Sequence, residues 1–484
     1  MAVIVENKLH FLGKNLGSLR FIKNVGIQHE INIWTEWSMP TDDWEWMKRP
    51  TAPAVENTPF EMSLTVQEAP HVPLLTHSDV ASYVESIMNP ELTARPRFSC
   101  PAINVRRYQH LQPHPMFFER TKVHYMFAMN LRDEGVELLP RLLASVIEAM
   151  RFLGPHYCAL SLVGGGGTPD GVYDVLEALR PHVEGMGARY YLRHPAIYSE
   201  AGGQDRIMQL ARLRNLALAP LTNPSRQDSG RYTNETTVIF TNDVAICTED
   251  ILELVHQRKV QEADMTCAMD WILEGLFYDV WVSRTLAGNI FFRVPLNGSW
   301  EFSAQLMPNS TDAPSRERFD ARRPFQVFAC WNGAVAFNAA PLFRTGIRPG
   351  VSWSSDVADP RQKVDPVRFR RNMELDGECY MGEPTLFAKD LWYRGFGKIA
   401  VVPSVALSYT MADGEKMKRL KGWVSDFVGD KGPELDENPI PERITWQLSP
   451  PKEVLCARTW QTQRWVPWDQ SLRPSSGMET QLKL

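Results

Sequence analysis

The sequence lacks several signatures that would fix a function class at once. No two of its seven cysteines form a C-x-x-C pair, so neither a zinc ribbon nor a thioredoxin-type site is encoded. No apolar run reaches about 18 residues, and no membrane-spanning helix is read in the chain. Basic residues are not in excess: 52 Lys and Arg against 57 Asp and Glu leave a formal charge of −5, without the basic footprint of a nucleic-acid binder. The glycine-rich stretch Gly164 to Asp170 contains neither Gly-Lys-Ser/Thr nor a G-x-G-x-x-G context, which excludes a Walker loop and a dinucleotide fingerprint. The start, Met1 to Gly26, places Lys8, Lys14, Arg20 and Lys23 between short apolar stretches and has no long hydrophobic core of a signal peptide.

What is present is a chain of 484 residues, 44% of them hydrophobic, enough to bury a core in one large α/β domain with embellishments or in two domains. Tryptophan is plentiful, and indole rings suit the apolar faces of sugars as well as they suit a core. Cys158, Cys267 and Cys330 lie in apolar runs and are read as buried thiols rather than ligands. Spacing assigns no disulfide. Three glycosylation sequons occur, at Asn234, Asn297 and Asn309.

The hydrophobic pattern divides the chain into an irregular, Pro- and Trp-rich arm over 1–90, a main domain over 91–410 and an extension over 411–484. A short helix at 79–88 is expected to dock the arm. Strand-length apolar runs at 123–129, 157–163, 189–193 and 237–241 alternate with helical patterns after Leu138, after Val172 and over 204–219. Further strands are expected at 265–269, 326–330 and 399–403, a helix at 384–392 and a loop at 300–323. Strand alternating with helix predicts a mainly parallel sheet covered by helices on both faces. Such sheets bind ligands at the carboxyl ends of their strands, where Asn130–Glu134, Gly164–Asp170 and Asn242–Asp243 all fall.

Asp243 ends an apolar strand and is the candidate metal ligand, because hard cations take few carboxylates plus phosphate oxygens. Its alternative is a turn-capping acid. Arg206, Arg212 and Arg214 share a helix and offer guanidinium groups for phosphate, or a solvated face. Asp270 ends another strand, and Glu383 begins a helix, where the dipole favours an acid.

Nine segments occur in one order: Arg97-Phe-Ser-Cys-Pro101, Asn130-Leu-Arg-Asp-Glu134, Leu213 to Leu221, Thr241-Asn-Asp-Val244, Ala268-Met-Asp-Trp271, Phe277-Tyr-Asp-Val-Trp281, Cys330-Trp-Asn-Gly-Ala334, Gly382-Glu-Pro-Thr-Leu386 and Val402-Pro-Ser-Val405. Together, from about residue 79 to about 410, they resemble the fungal α-1,3-mannosyltransferases of glycosyltransferase family 69, the capsule-associated proteins. The resemblance implies a GT-A-like fold, GDP-mannose as donor, a glycan acceptor, Mn²⁺ or Mg²⁺, retention of configuration and a Golgi location. It implies Asp243 as metal ligand, Asp270 and Glu383 as catalytic acids, and Asn130, Glu134, Arg214, Asn215 and Asn242 on the donor side. Trp331 and Asn332 fall on the acceptor side. The loop after the second strand departs from the family, with Gly164 to Gly167 where a Glu is usual, and the family's membrane anchor is not seen in this chain. Two alternatives follow: a catalytically impaired relative that binds glycan or a partner, and a nucleotidyltransferase on a similar sheet.

Overall fold

The computed structural model describes residues 73–89, 92, 95, 97–113, 121–131, 136–164, 171–195, 206–272, 275–291, 307, 312–343, 348, 365–373, 377–428, 440–458 and 462–472. Glu134, the glycine loop beyond Gly164, the sequons at Asn297 and Asn309 and most of the N-terminal arm lie outside them.

Four strands build the first half of the sheet: β1 (Tyr125–Leu131), β2 (Cys158–Gly164), β3 (Arg189–Arg193) and β4 (Thr237–Thr241), in the order β3-β2-β1-β4 with every pairing parallel. The nearly continuous apolar character of β1, β2 and β4 follows from being covered on both faces, whereas the edge strand β3 is only partly buried. Along β1 the side chains alternate: Met126 and Ala128 enter one core, Tyr125, Phe127 and Met129 the other. The second core is closed by helices α1 (His77–Met88), α2 (Leu139–Leu153) and α3 (Val172–Gly185). The first is covered by α4 (Arg206–Ala217), while α5 (Thr248–Val260) joins the helices of the second. α1 docks the preceding segment onto the domain, with Tyr83, Val84 and Ile87 buried.

The second half continues through β5 (Met265–Ile272), β6 (Leu276–Phe277), β7 (Arg284–Thr285), β8 (Phe325–Ala329), β9 (Ala334–Asn338) and β10 (Ile399–Leu407). The sheet order extends as β4-β9-β5-β10-β8-β7, with β6 hairpinned onto β5. β9 runs antiparallel between β4 and β5, which restores β5 and β10 to the direction of the first half. The expected mainly parallel, doubly covered sheet is therefore present, with antiparallel strands inserted in it. Helix α6 (Glu383–Tyr393) closes the first core beside α4. Helix α7 (Met411–Lys421) follows β10, and a hairpin of β11 (Glu453–Ala457) and β12 (Gln463–Pro467) packs back through Arg284 Nε to Leu455 O, 2.8 Å.

Four expectations need correction. The stretch read as loop contains a helix, Ala313–Asp320; none of its residues is buried, so it has no apolar stripe to betray it. β9 was not expected at all. β10 does not stop at Pro403: a register shift between Val401 and Ala406 lets the strand pass the proline and continue to Leu407. Finally, Cys267 and Cys330 are not thiols but are bonded to each other, as are Cys100 with Cys247 and Cys379 with Cys456. Cys158 is a buried free thiol.

Candidate active site

The carboxyl end of β4 delivers Thr241, Asn242 and Asp243, and the chain is held there from two sides. Asn242 N donates to Gly333 O at 2.8 Å, and Ala245 N to Ser408 O at 2.8 Å. Gly333 has φ +83°, and a Cβ there would lie 3.1 Å from Val244 Cγ1. The left-handed backbone and the close approach both call for glycine. Asp243 stands partly exposed at this crossing.

Beside it is a buried ion pair. Arg214, from α4, donates through Nε to Glu383 Oε1 at 2.8 Å. Glu383 opens α6, so its charge also meets the positive end of that helix. The guanidinium carbon sits 4.4 Å above the Trp331 ring and 5.6 Å from the rings of Phe240 and Phe369, a cation–π box that fixes its plane. Arg214 Nη1 also reaches Asn242 Oδ1 at 3.4 Å, and Trp331 Nε1 donates to the same oxygen at 3.0 Å. Asn242 is thereby the link between Asp243 and the ion pair.

On the far side of this pair lie two more acids. Asp270, on β5, is fully buried; Tyr409 Oη donates to its Oδ2 at 2.6 Å and Asp279 N to its Oδ1 at 3.2 Å. Asp279 Oδ2 accepts from Asn332 N at 2.7 Å. Asn332 in turn donates Nδ2 to Ala268 O at 2.8 Å, and Ser283 Oγ lies 2.8 Å from its Oδ1. Burial, then the nearby charge of Asp279, pushes the Asp270 carboxyl well above the usual carboxylate range. Burial pushes Asp279 up to about 6; the bond from Asn332 and the charge of Arg214 oppose that rise, and Glu383 adds to it. Arg214, Glu383, Asp279 and Asp270 thus form one electrostatic unit.

The structure brings together Asn242, Asp243, Arg214, Glu383, Trp331, Asn332 and Asp270 from five separate parts of the chain. Trp331 and Asn332 are buried beneath the site and shape it from below. Asn215 is buried too, its Nδ2 donating to Phe369 O and its Oδ1 accepting from Phe369 N, so it holds the strap that boxes Arg214. Asn130 ends β1 with a buried Oδ1 that has no hydrogen-bond partner, and Thr241 Oγ1 at the end of the neighbouring β4 is in the same condition. The two lie on opposite faces of the sheet, Thr241 with Met129 and Asn130 with Ala128. An unsatisfied polar atom at a strand end marks a place where a ligand completes the bonding, and Asn130 is the one on the face of Arg214 and Phe240. Among the described residues no three of His, Cys, Asp and Glu converge as metal ligands.

Residue-level sequence reading missed Asp279, Tyr409 and Tyr278. Tyr278 and Asp279 lie inside Phe277-Tyr-Asp-Val-Trp281, a segment already marked for its order in the chain. Tyr409 follows the last strand with no pattern to single it out.

Comparison with known proteins identifies the family of the chain. The model of the family described as cryptococcal mannosyltransferase 1 matches residues 124–390, more than half of the chain. The alpha-1,3-mannosyltransferase CMT1 of Cryptococcus neoformans var. neoformans serotype D is 34% identical over 368 residues, 71% of this chain and 72% of that protein. Among solved structures, S. aureus TarS 1-349 aligns at TM-score 0.31 and 11% identity, over 62% of this chain and 64% of that one. Its complex with UDP-GlcNAc gives 0.31 and 12%, over 62% and 65%; that likeness is too slight to bear on the site. The extent of the family match and the identity to the fungal enzyme settle the affiliation: the chain belongs to the cryptococcal mannosyltransferase 1 family and is a glycosyltransferase.

Proposed function

We propose that this glycosyltransferase moves a mannosyl residue from GDP-mannose to a mannoside, forms an α-1,3 linkage with retention, uses Mn²⁺ or Mg²⁺ and works in the Golgi lumen. The observation that carries the reading is the Asn242 bridge, which joins the strand-end acid Asp243 to the buried Arg214–Glu383 pair. The activity in the name of the 34% identical relative supports the sugar and the linkage.

Asp243 would hold the cation. One carboxylate suits an ion that takes its other ligands from water and a diphosphate, and such an ion supplies charge neutralisation for the leaving nucleotide. Asn130 Oδ1, buried and unpartnered on the sheet face that carries Arg214, faces the donor in this reading. Arg214 orients Glu383 through the Nε–Oε1 bond. The bond from the anomeric carbon to the diphosphate oxygen breaks as a bond from the acceptor oxygen forms on the same face. The hydroxyl proton passes to the departing diphosphate. Glu383 places negative charge beside the sugar as positive charge develops on it. Three disulfides suit an oxidising compartment, and Asn234 of the first sequon is exposed. No helix among the described residues is long and apolar enough to cross a membrane.

The test is transfer from GDP-[¹⁴C]mannose to methyl α-mannoside with Mn²⁺. A labelled disaccharide with free GDP is expected, and Asp243→Ala should lower the rate at least about a hundredfold. Absence of transfer, or release of pyrophosphate, contradicts the reading. An unchanged Asp243→Ala rate removes the cation from that residue.

A further inference from the structure

Tyr278 is a large aromatic residue left in solvent beside the acids of the site. It follows the β5–β6 hairpin, whose turn residue Gly275 has φ +94° and packs under Leu420 and Lys421 of α7. The backbone is pinned on both sides: Tyr278 N donates to Asp270 O at 3.0 Å, and Val280 N to Tyr278 O at 2.8 Å. Its ring lies 4.7 Å from that of Tyr409, tilted by 54°, and Tyr409 is itself bonded to Asp270. Even so, Tyr278 remains 43% exposed. Burial, then the charges of Asp279 and Asp270, pushes its hydroxyl up to about 12.

An aromatic ring packed against a neighbouring ring and still partly exposed can pack against the C–H face of a pyranose, while neighbouring carboxylates accept the sugar's hydroxyl hydrogens. Asp270 is fully buried and already occupied by Tyr409, so it serves the ring pair rather than the sugar. Asp279 lies at the surface side of the same turn.

We propose that Tyr278, seated on Tyr409 and held by Asp270, is the platform on which the acceptor sugar stacks, with Asp279 at its edge. This deepens the mannosyl-transfer reading and rests on it for the identity of the acceptor. Asp270 is accordingly a positioning residue. The arrangement explains why an acid with no exposed surface lies in the site: it fixes the Tyr409 hydroxyl, which fixes the ring below Tyr278.

The experiment compares wild type, Tyr278→Ala and Tyr278→Phe in two assays. One measures KM for methyl α-mannoside and for GDP-mannose. The other measures saturation transfer by NMR from protein aromatic protons to methyl α-mannoside with no donor present. Tyr278→Ala should raise the acceptor KM about tenfold, leave the donor KM within about twofold and abolish the saturation transfer. Tyr278→Phe should behave like wild type in both, because the ring face and not the hydroxyl makes the contact. The proposal is overturned if Tyr278→Ala keeps its acceptor KM, raises the donor KM equally, or is matched by Tyr278→Phe. A wild type that shows saturation transfer lost in Tyr278→Ala, yet transfers no mannose, sustains the platform and refutes the donor reading. A wild type that transfers mannose equally well as Tyr278→Ala refutes the platform alone.

Discussion

The two halves of the sheet are stabilised in different ways. The β3-β2-β1-β4 half is all parallel, contains the free thiol Cys158, and ends in Asn130 and Thr241 with side-chain oxygens left unpaired. The β9-β5-β10-β8 half mixes directions and is stapled by Cys267–Cys330, which ties the strand of Asp270 to the turn of Trp331 and Asn332. Just before Glu383, Cys379–Cys456 fastens the chain to the C-terminal hairpin, and Glu378 meets Arg370 at 2.7 Å and Lys389 in a buried network. Hydrophobic burial orders the strands of the first half, with the Cys100–Cys247 bond confined to the segments that flank them. Covalent and polar links order the second half before any ligand arrives. Donor capture needs only a rigid edge with unsatisfied groups, whereas positioning an acceptor hydroxyl needs several side chains fixed together.

Cutting the link between the halves should have the largest effect. Arg214→Ala leaves Glu383 buried without its partner and should cost about 3–5 kcal/mol in denaturant unfolding. Most of that loss should return in the double variant with Glu383→Gln, while activity stays lost in both. An unfolding midpoint unchanged in Arg214→Ala would mean that the pair does not hold the halves together.

The staple comes next. Replacing Cys267 and Cys330 by Ala opens a bridge between positions 63 apart, and should cost about 2–4 kcal/mol. Cys158→Ala, in the half whose strands carry no disulfide, should cost about 1 kcal/mol. Equal losses in the two proteins would erase the contrast.

A smaller effect separates the halves by pH. Burial holds the Asp279 carboxyl at about 6 in the folded chain against an ordinary value of 3.8, so the native state holds its proton more tightly than the unfolded state does. Its contribution is full below the unfolded value, declines as pH rises from about 4 to about 6, and is flat above. Melting curves in cation-free buffer should therefore show a declining difference between wild type and Asp279→Asn through that window. A difference that is constant with pH would contradict the raised value.

The first half was nearly legible in the sequence. Strands such as Cys158–Gly164 and Thr237–Thr241 fall where their apolar runs predict, because a strand covered on both faces must be apolar throughout. The second half was not. Ala334–Asn338 is one short apolar run whose antiparallel partners lie far away in the chain, and the Cys267–Cys330 bond joins residues whose neighbourhoods look like core. The same division holds for the site. Asp243 and Glu383 stand at element ends, where an acid draws notice. Asp279 and Tyr409 acquire their roles from contacts across the sheet, to Asn332 and Asp270, that no local spacing reveals.

The division of labour between the halves is tested most directly by calorimetric titration of GDP in the presence of Mn²⁺. Asp243→Asn should weaken binding about thirtyfold or more, while Asp270→Asn binds within about twofold of wild type. GDP binding that is unchanged in Asp243→Asn, or lost equally in Asp270→Asn, would contradict the account.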